Sequence, residues 1–159
     1  MTDVLESNRV GALARGADAV ADSTQYDVAA VVREFFGETA DVVFDCVSIQ
    51  STIDAAFDMV GRGGTVVMVG VPSQPVQIPS FRLQDRQIRL QCAATYMREN
   101  YEEAIRIIAP GGVDANQMIT ASFPLDSIVD AFAAVASGGN IKVLVTGDGV
   151  DLGRGESSL

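Results

Sequence analysis

Two apolar runs separated by an amphipathic segment dominate the hydrophobic pattern of this chain. Residues 41–46 and 65–69 are apolar enough to predict two buried strands, and the apolar positions between them recur at helical spacing from Ile53 to Val60. The second run is followed by Gly70, and glycine is typical of turns, so the predicted strand is expected to end there. A strand, a helix and a strand in this order predict two parallel strands joined by a right-handed crossover.

The spacing of apolar residues predicts alternating helices and strands along the whole chain. Apolar residues at helical spacing predict helices over residues 7–15, 28–36, 51–60, 101–108 and 128–135. Further strands are predicted over residues 87–92 and 141–145, with a short strand or extended connection over residues 17–21. We expect Ser7 to cap the first helix, and Ser51 with Asp54 to form a capping box on the third.

This alternation predicts an α/β fold with a mostly parallel, doubly wound sheet and flanking helices. The predicted domain covers residues 1–146. Residues 147–159 are rich in Gly and Ser and polar, and are predicted to be a disordered tail.

Composition and charge narrow the classes of function. The chain has 159 residues, 48% of them hydrophobic, and a net charge of −10 that is scattered along the sequence. A negative surface repels nucleic acid and anionic lipid, so neither is an expected partner. No apolar stretch approaches the roughly 18 residues that a membrane-spanning helix needs, and no signal peptide is evident. Cys46 and Cys92 are expected to be free thiols packed as small apolar side chains, which favours a cytoplasmic location.

Catalytic side chains of the common kinds are absent from the sequence. There is no histidine, and the two cysteines are far apart, so no metal site and no His-based catalytic site is predicted. No glycine-rich phosphate turn precedes the first apolar run. We therefore assign no catalytic residue and no metal ligand to this chain.

Several short segments in a fixed order resemble the C-terminal half of zinc-dependent medium-chain alcohol dehydrogenases, most closely the polyol branch of sorbitol, xylitol and 2,3-butanediol dehydrogenases. The matching segments are residues 2–3, 16–20, 40–47, 63–72, 101–105, 119–120, 123–125 and 141–143. Members of that family carry a zinc-binding catalytic domain, a first Rossmann strand and a Gly-x-Gly-x-x-Gly turn ahead of the position of Asp3. The resemblance therefore implies an incomplete Rossmann fold without its first βα unit, and a fragment of a longer enzyme.

The resemblance implies residues that hold the adenosine end of NAD. Asp3 matches the acidic residue that binds the ribose hydroxyls and selects NAD over NADP, although a charge at a frayed terminus is an equally good interpretation. Asn8, with Arg9, matches polar positions near the same ribose, although a solvated helix face is favoured slightly. Positions that line the adenine pocket are matched by Val4 and Val47, and Cys46 lies beside Val47. An equally good interpretation is that these are ordinary core residues.

Residues at and after the later predicted strands match family positions that contact the nicotinamide end of NAD. The corresponding positions are Val69, Gly70, Val71, Ala93 and Thr95, of which Gly70 permits close backbone approach. Lys142, which is the only lysine, matches a residue that contacts the pyrophosphate. Tyr96 matches a substrate-binding position, but Thr95 stands where polyol dehydrogenases often have arginine. Smaller diols and secondary alcohols therefore remain candidate substrates. Ser48 replaces a usual glycine, so it either crowds the cofactor or offers it a hydroxyl.

The function implied is the NAD-binding segment of a zinc-dependent alcohol or polyol dehydrogenase, inactive by itself, since the zinc ligands would lie in the absent domain. A non-catalytic remnant or dimerisation module of the same superfamily is the alternative. In this family, sheet edges pair between subunits, which implies a homo-oligomer formed near residues 76–90. A complete flavodoxin-like nucleotide-binding protein ranks last, because the phosphate loop is missing.

Overall fold

The computed structural model describes residues 1–147. These residues belong to two compact units, of which the first is Met1–Thr95 and the second starts at Tyr96. The predicted tail lies outside the described residues, apart from residue 147.

The first unit contains a parallel sheet and four helices. In chain order its elements are α1 (Glu6–Ala14), α2 (Val28–Phe36), β1 (Ala40–Asp45), α3 (Gln50–Met59), β2 (Val60–Met68), α4 (Ser80–Arg86) and β3 (Arg89–Cys92). The strand order is β1-β2-β3, and both pairings are parallel. The α/β prediction with parallel strands is confirmed. The extended segment predicted over residues 17–21 makes one isolated parallel bridge, between Thr2 and Ala21.

Helix α3 supplies the centre of the core. Its residues Ile53 and Phe57, with Val60 at the start of β2, are fully buried, as the helical spacing predicted. They pack with Val66 of β2 and with Ile88, which immediately precedes β3. The crossover between the two parallel strands is thus anchored to the sheet by one continuous apolar cluster.

The prediction that residues 41–46 form a buried strand is only half right. The strand exists as β1, but Val42 is 48% exposed and Phe44 is 66% exposed. The reason is that β1 lies at the edge of its sheet and pairs with β2 alone among the described residues. Periodicity predicted the strand but not the number of its neighbours.

Two helix-capping predictions are wrong. Helix α1 starts at Glu6, so Ser7 lies inside it, and the Asp3 carboxylate instead accepts the N–H of Leu5, one residue before the helix. Helix α3 starts at Gln50, and the hydroxyl of Thr52 accepts the N–H of Ile49 at 3.1 Å, while Asp54 pairs with Gln50. The helix ends at Gly16 and Gly37 are as predicted, because both glycines adopt positive φ.

The second unit contains a smaller parallel sheet. In chain order its elements are α5 (Arg98–Ile108), α6 (Ala115–Met118), β4 (Ile119–Pro124), a 3₁₀ turn (Leu125–Ser127), α7 (Ile128–Ala136) and β5 (Lys142–Thr146). Strands β4 and β5 pair in parallel, and α7 packs against both. Helices α5 and α7 and strand β5 were predicted. Strand β4 was missed, and so were helices α4 and α6, which are too short to carry much helical periodicity.

Among residues 1–147, no helix is both long enough and apolar enough to cross a membrane.

The core around α3 makes a direct prediction about stability. Phe57→Ala should lower the free energy of unfolding by about 3–5 kcal/mol, because it removes a fully buried ring and leaves a cavity. Urea unfolding followed by circular dichroism measures the loss. The matched control is Phe81→Ala, since Phe81 is 80% exposed, and it should change the free energy by less than about 0.5 kcal/mol. Equal losses in the two variants would contradict the packing described here.

Candidate nucleotide-binding site

The carboxyl ends of β1, β2 and β3 are held together by backbone hydrogen bonds. The carbonyl oxygen of Asp45 accepts the N–H groups of Val69 and Gly70 at 2.8 and 3.1 Å, and the carbonyl oxygen of Met68 accepts the N–H of Ala93 at 2.9 Å. In open parallel sheets, ligands bind in the crevice outside these ends. The structure therefore brings the predicted residues that follow β1, β2 and β3 to one edge of one sheet.

Gly70 is required by the close approach of two loops at this edge. A Cβ atom on Gly70 would lie 2.5 Å from the carbonyl carbon of Val47 and 2.7 Å from its oxygen. Those atoms belong to the backbone and cannot rotate away. The close approach of Gly70 to the nicotinamide stays a prediction, whereas the neighbour that the structure shows is the β1–α3 loop.

Asp45 organises that loop, and sequence reasoning gave it no role of its own. Asp45 is 5% exposed, and its carboxylate accepts the N–H groups of Val47 and Ser48 at 3.0 and 2.8 Å and the hydroxyl of Thr52 at 3.0 Å. A buried carboxylate is stable only when it is satisfied in this way. The signal in the sequence was an aspartate at a strand end followed by serine and threonine, which is typical of a side-chain-capped turn.

Ser48 adopts a φ of 58° and is completely buried. This left-handed backbone conformation explains why a glycine would fit the position. The Ser48 hydroxyl points to the carbonyl oxygen of Asp45, at 3.5 Å. The serine therefore faces the interior of the turn rather than offering its hydroxyl outward.

The apolar side chains at this edge are open to solvent. Val47, Val69 and Val71 are all exposed, and so is the thiol-bearing residue Cys46. Cys92 is exposed as well, so the expectation that both cysteines pack as core is wrong, although both are free as expected. The reason is position, since Cys46 follows an edge strand and Cys92 lies on the other edge strand.

Asp3 lies in a separate polar cluster of the first unit. Its N–H donates to the carbonyl oxygen of Ala21 at 3.2 Å, beside the parallel bridge. Its carboxylate accepts the N–H of Leu5 at 2.8 Å and the Asn8 amide at 3.0 Å. Each carboxylate oxygen keeps a second lone pair, so the group can still accept a hydroxyl. Val4, next to it, is exposed.

Arg9 is held by two acceptors of this cluster. Its guanidinium donates to the carbonyl oxygen of Asp3 at 2.7 Å and forms an ion pair with Asp22 at 3.2 Å. The hydroxyl and the N–H of Thr24 also donate to Asp22, at 2.6 and 2.9 Å. The Thr24 hydrogen bonds, followed by the charge of Arg9, lower the pKa of the Asp22 carboxyl from its ordinary value.

Three of the predicted site residues lie at or beyond the junction of the two units. Thr95, the last residue of the first unit, has a φ of 56°. Tyr96 and Lys142 belong to the second unit. The exposed Tyr96 ring stacks edge-on against Tyr101 with ring centroids 5.8 Å apart, and the exposed Lys142 begins β5. Their predicted roles toward substrate and pyrophosphate stay predictions.

The dehydrogenases that this sequence resembles use two cofactors, NAD and zinc, and the described residues suit NAD but not zinc. Exposed apolar side chains, together with the Asp3 carboxylate, suit the flat rings and ribose hydroxyls of a dinucleotide. Zinc does not fit, because residues 1–147 contain no cluster of three acidic, cysteine or histidine side chains that could hold a metal ion. No chemical step through zinc is derived for this chain.

The Asp45 network can be tested by removing its carboxylate. Asp45→Ala should lower the free energy of unfolding by about 1.5–3 kcal/mol, because buried N–H donors would lose a charged acceptor. Asp41→Ala, on the same strand but exposed, is the control and should change the value by less than about 0.5 kcal/mol. Urea unfolding measures both variants. An unchanged free energy for Asp45→Ala would show that this carboxylate does not support the turn.

The Asp22 cluster makes a prediction about pH. Since the folded-state pKa of Asp22 is lowered, its ionised form stabilises the fold above the unfolded-state pKa of about 3.9. That stabilisation is lost as the pH falls through the lower folded-state pKa. Asp22→Asn should therefore be less stable than the wild type at neutral pH, and the difference should vanish in acid.

Urea midpoints measured from neutral to acidic pH test this. Asp18→Asn is the control, since the exposed Asp18 makes no ion pair within residues 1–147, and we expect no comparable pH-dependent difference. A difference between Asp22→Asn and the wild type that grows on acidification would contradict the assignment.

Curated proteins that this chain resembles include a putative xylulose reductase and a sorbitol dehydrogenase. A putative D-xylulose reductase of Rhizobium meliloti is 38% identical over 96 residues, which are 60% of this chain and 28% of that protein. The sorbitol dehydrogenase of Gallus gallus is 26% identical over 154 residues, which are 95% of this chain and 43% of that protein. The chain thus spans less than half the length of these relatives.

Solved structures show the same fold. The alcohol dehydrogenase of Thermus sp. ATN1 superimposes with a TM-score of 0.83 at 20% identity, over 92% of this chain and 42% of that one. This likeness confirms the Rossmann-type α/β fold. The family model described as zinc-binding dehydrogenase matches residues 1–110, which is more than half of the chain. The chain therefore belongs to the zinc-binding dehydrogenase family.

Proposed function

We propose that this chain supplies the NAD-binding part of an alcohol or polyol dehydrogenase. The observation that carries the proposal is the junction of three strand ends, where Asp45 and Met68 accept backbone N–H groups from the following loops. This junction offers exposed apolar side chains at Val47, Val69 and Val71. Flat aromatic rings bind between such side chains, which supports adenine and nicotinamide as ligands.

The Asp3 cluster supports NAD rather than NADP. The Asp3 carboxylate can accept ribose hydroxyls and repels a 2′-phosphate. The nearby cation Arg9 is already paired with Asp22, so it is poorly placed to offset the charge of such a phosphate. Asn8 donates to the Asp3 carboxylate and thereby helps to fix its orientation.

The nicotinamide carboxamide would be held by the backbone of the loops at Gly70, Ala93 and Thr95. NAD supplies the hydride acceptor when it is bound, and this chain would orient the ring and limit its access to water. Lys142 would contribute a positive charge to the pyrophosphate, and Tyr96 would contact the substrate. The relatives' names support a sugar alcohol, or a smaller secondary alcohol, as substrate. The two free cysteines support the cytoplasm as the compartment.

This chain is proposed to be inactive by itself, because residues 1–147 contain no cluster of side chains that could hold zinc and the sequence has no glycine-rich phosphate turn. The relatives are more than twice its length, and the remainder would bring these parts. Mixed with NAD and sorbitol, xylitol or 2,3-butanediol, the purified chain should therefore produce no NADH. Turnover by the isolated chain would overturn the proposal.

Association between copies is the second candidate function. Strand β3 is the other edge of the β1-β2-β3 sheet, and Arg89, Gln91 and Cys92 on it are exposed. An exposed edge can pair with another strand. The proposed homo-oligomer would use this edge. Sedimentation equilibrium tests it, and a chain that stays monomeric at all concentrations would exclude it.

Affinity for NAD gives the quantitative test of the proposed function. Without a pyrophosphate turn, the chain should bind NAD with a Kd weaker than about 10 µM, which corresponds to ~−7 kcal/mol. Isothermal titration calorimetry measures the Kd, and Asp3→Asn should weaken it further while Asp18→Asn should not. A Kd tighter than this limit would show that the chain holds a complete dinucleotide site.

A further inference from the structure

A side-chain amide ties the loop after β2 to the first turn of α3. The Oε1 atom of Gln50, the first residue of α3, accepts the N–H of Gln77 at 2.8 Å, and its Nε2 atom donates to the carbonyl oxygen of Gln77 at 3.1 Å. The same Nε2 atom donates to the Asp54 carboxylate at 2.9 Å. One side chain therefore pairs with both backbone groups of Gln77, as a neighbouring strand would.

The three partners of Gln50 match the chemistry of an amide. Gln77 presents one donor and one acceptor, and Asp54 presents a second acceptor. An amide side chain offers an oxygen acceptor and two N–H donors, so it satisfies all three partners at once. A carboxylate in its place would keep only the bond from the Gln77 N–H, and an alanine would keep none.

Gln77 ends a segment whose other end is held at the carboxyl ends of the strands. There the N–H of Gly70 donates to the carbonyl oxygen of Asp45 at 3.1 Å. Residues 71–75, between the two ties, are exposed, and Pro72 and Pro75 lie among them. Proline fixes its own φ and restricts the residue before it, so this segment has few ways to bend. Its course past the strand ends therefore depends on where its two ends are held.

Apolar packing also holds the Gln77 end of the segment, but with less direction. Val76 and Ile78, on either side of Gln77, pack against the core cluster that contains Phe57. Apolar contacts are non-directional, so they hold this stretch against the core without fixing its position along α3. The hydrogen bonds between Gln50 and Gln77 depend on distance and angle, and they fix that position.

We propose that Gln50 is a positioning residue for the nicotinamide end of the dinucleotide, an inference that rests on the proposed function. By fixing Gln77, it holds the segment that begins at Val71, which is 86% exposed, beside the crevice at the strand ends. A segment that is already in place costs less to order when the ligand binds. Within residues 1–147, Gln50 shares no hydrogen bond with Asp3. Its loss should therefore spare the adenosine end.

Two ligands that share the adenosine end test the proposal: NAD, and ADP-ribose, which lacks the nicotinamide ring. Amide shifts of the isotope-labelled chain give the Kd of each ligand. We expect the wild type to bind NAD at least about fivefold more tightly than ADP-ribose. Gln50→Ala should bind the two ligands equally, with the affinity for ADP-ribose unchanged. The matched control is Gln84→Ala, which changes an exposed glutamine of α4 and should keep the preference for NAD.

Hydrogen exchange shows whether the tie itself is lost. The Gln77 amide should exchange at least about tenfold faster in Gln50→Ala than in the wild type. Unchanged exchange would overturn the proposal. Faster exchange with both affinities unchanged would overturn it as well, because the tie would then serve the fold alone. Equal losses of affinity for NAD and ADP-ribose would indicate general destabilisation and would also contradict it.

Failure of the proposed function gives a different pattern from failure of this inference. A wild-type chain that binds neither ligand contradicts the proposed function and the inference with it. A wild type that prefers NAD, together with a Gln50→Ala variant that keeps the same preference, contradicts the inference alone. Gln50→Glu, which keeps only the acceptor for the Gln77 N–H, should also lower the preference for NAD and decides the matter where Gln50→Ala does not fold.

Discussion

Parallel pairing of β1, β2 and β3 is the constraint on which the rest of the first unit depends. It puts the three carboxyl ends at one edge, where the carbonyl oxygens of Asp45 and Met68 accept N–H groups from the following loops. The pairing requires a crossover, and α3 provides it by burying Ile53 and Phe57 against the sheet. The same strand pairing thus organises both the core and the loops, so the position of the candidate site follows directly from the fold.

Much of this could be predicted from the sequence, where the physical signal is strong and local. The spacing from Ile53 to Val60 identified the core face of α3, and glycines identified the ends of α1 and α2. The order of apolar runs predicted parallel strands. The absence of histidine predicts that this chain does not supply the common catalytic groups, and this stays a prediction.

Other features could not be predicted, because they depend on contacts between distant segments. Nothing within residues 41–46 indicates that β1 has one neighbour among residues 1–147, so the exposure of Phe44 could be expected only from the resemblance, which implies a sheet without its first strand. The partners of Asp45 and the ion pair between Arg9 and Asp22 depend on loop conformation. Hydroxyl groups were assigned to caps by sequence spacing, yet Thr52 rather than Ser51 serves α3. Strand β4 was missed even though its apolar and polar residues alternate, and its pairing with β5 joins segments that are distant in the sequence.

Family membership and the geometry of the strand ends both support the proposal that this chain binds a dinucleotide. The central claim is that the loops after β1, β2 and β3 and the Asp3 cluster contact one dinucleotide. Backbone amide shifts of the isotope-labelled chain, recorded during titration with millimolar NAD, test it most directly. We expect the shifts to concentrate at residues 3–4, 46–48, 69–71 and 93–95. Shifts confined to other segments, or none at all, would contradict the account.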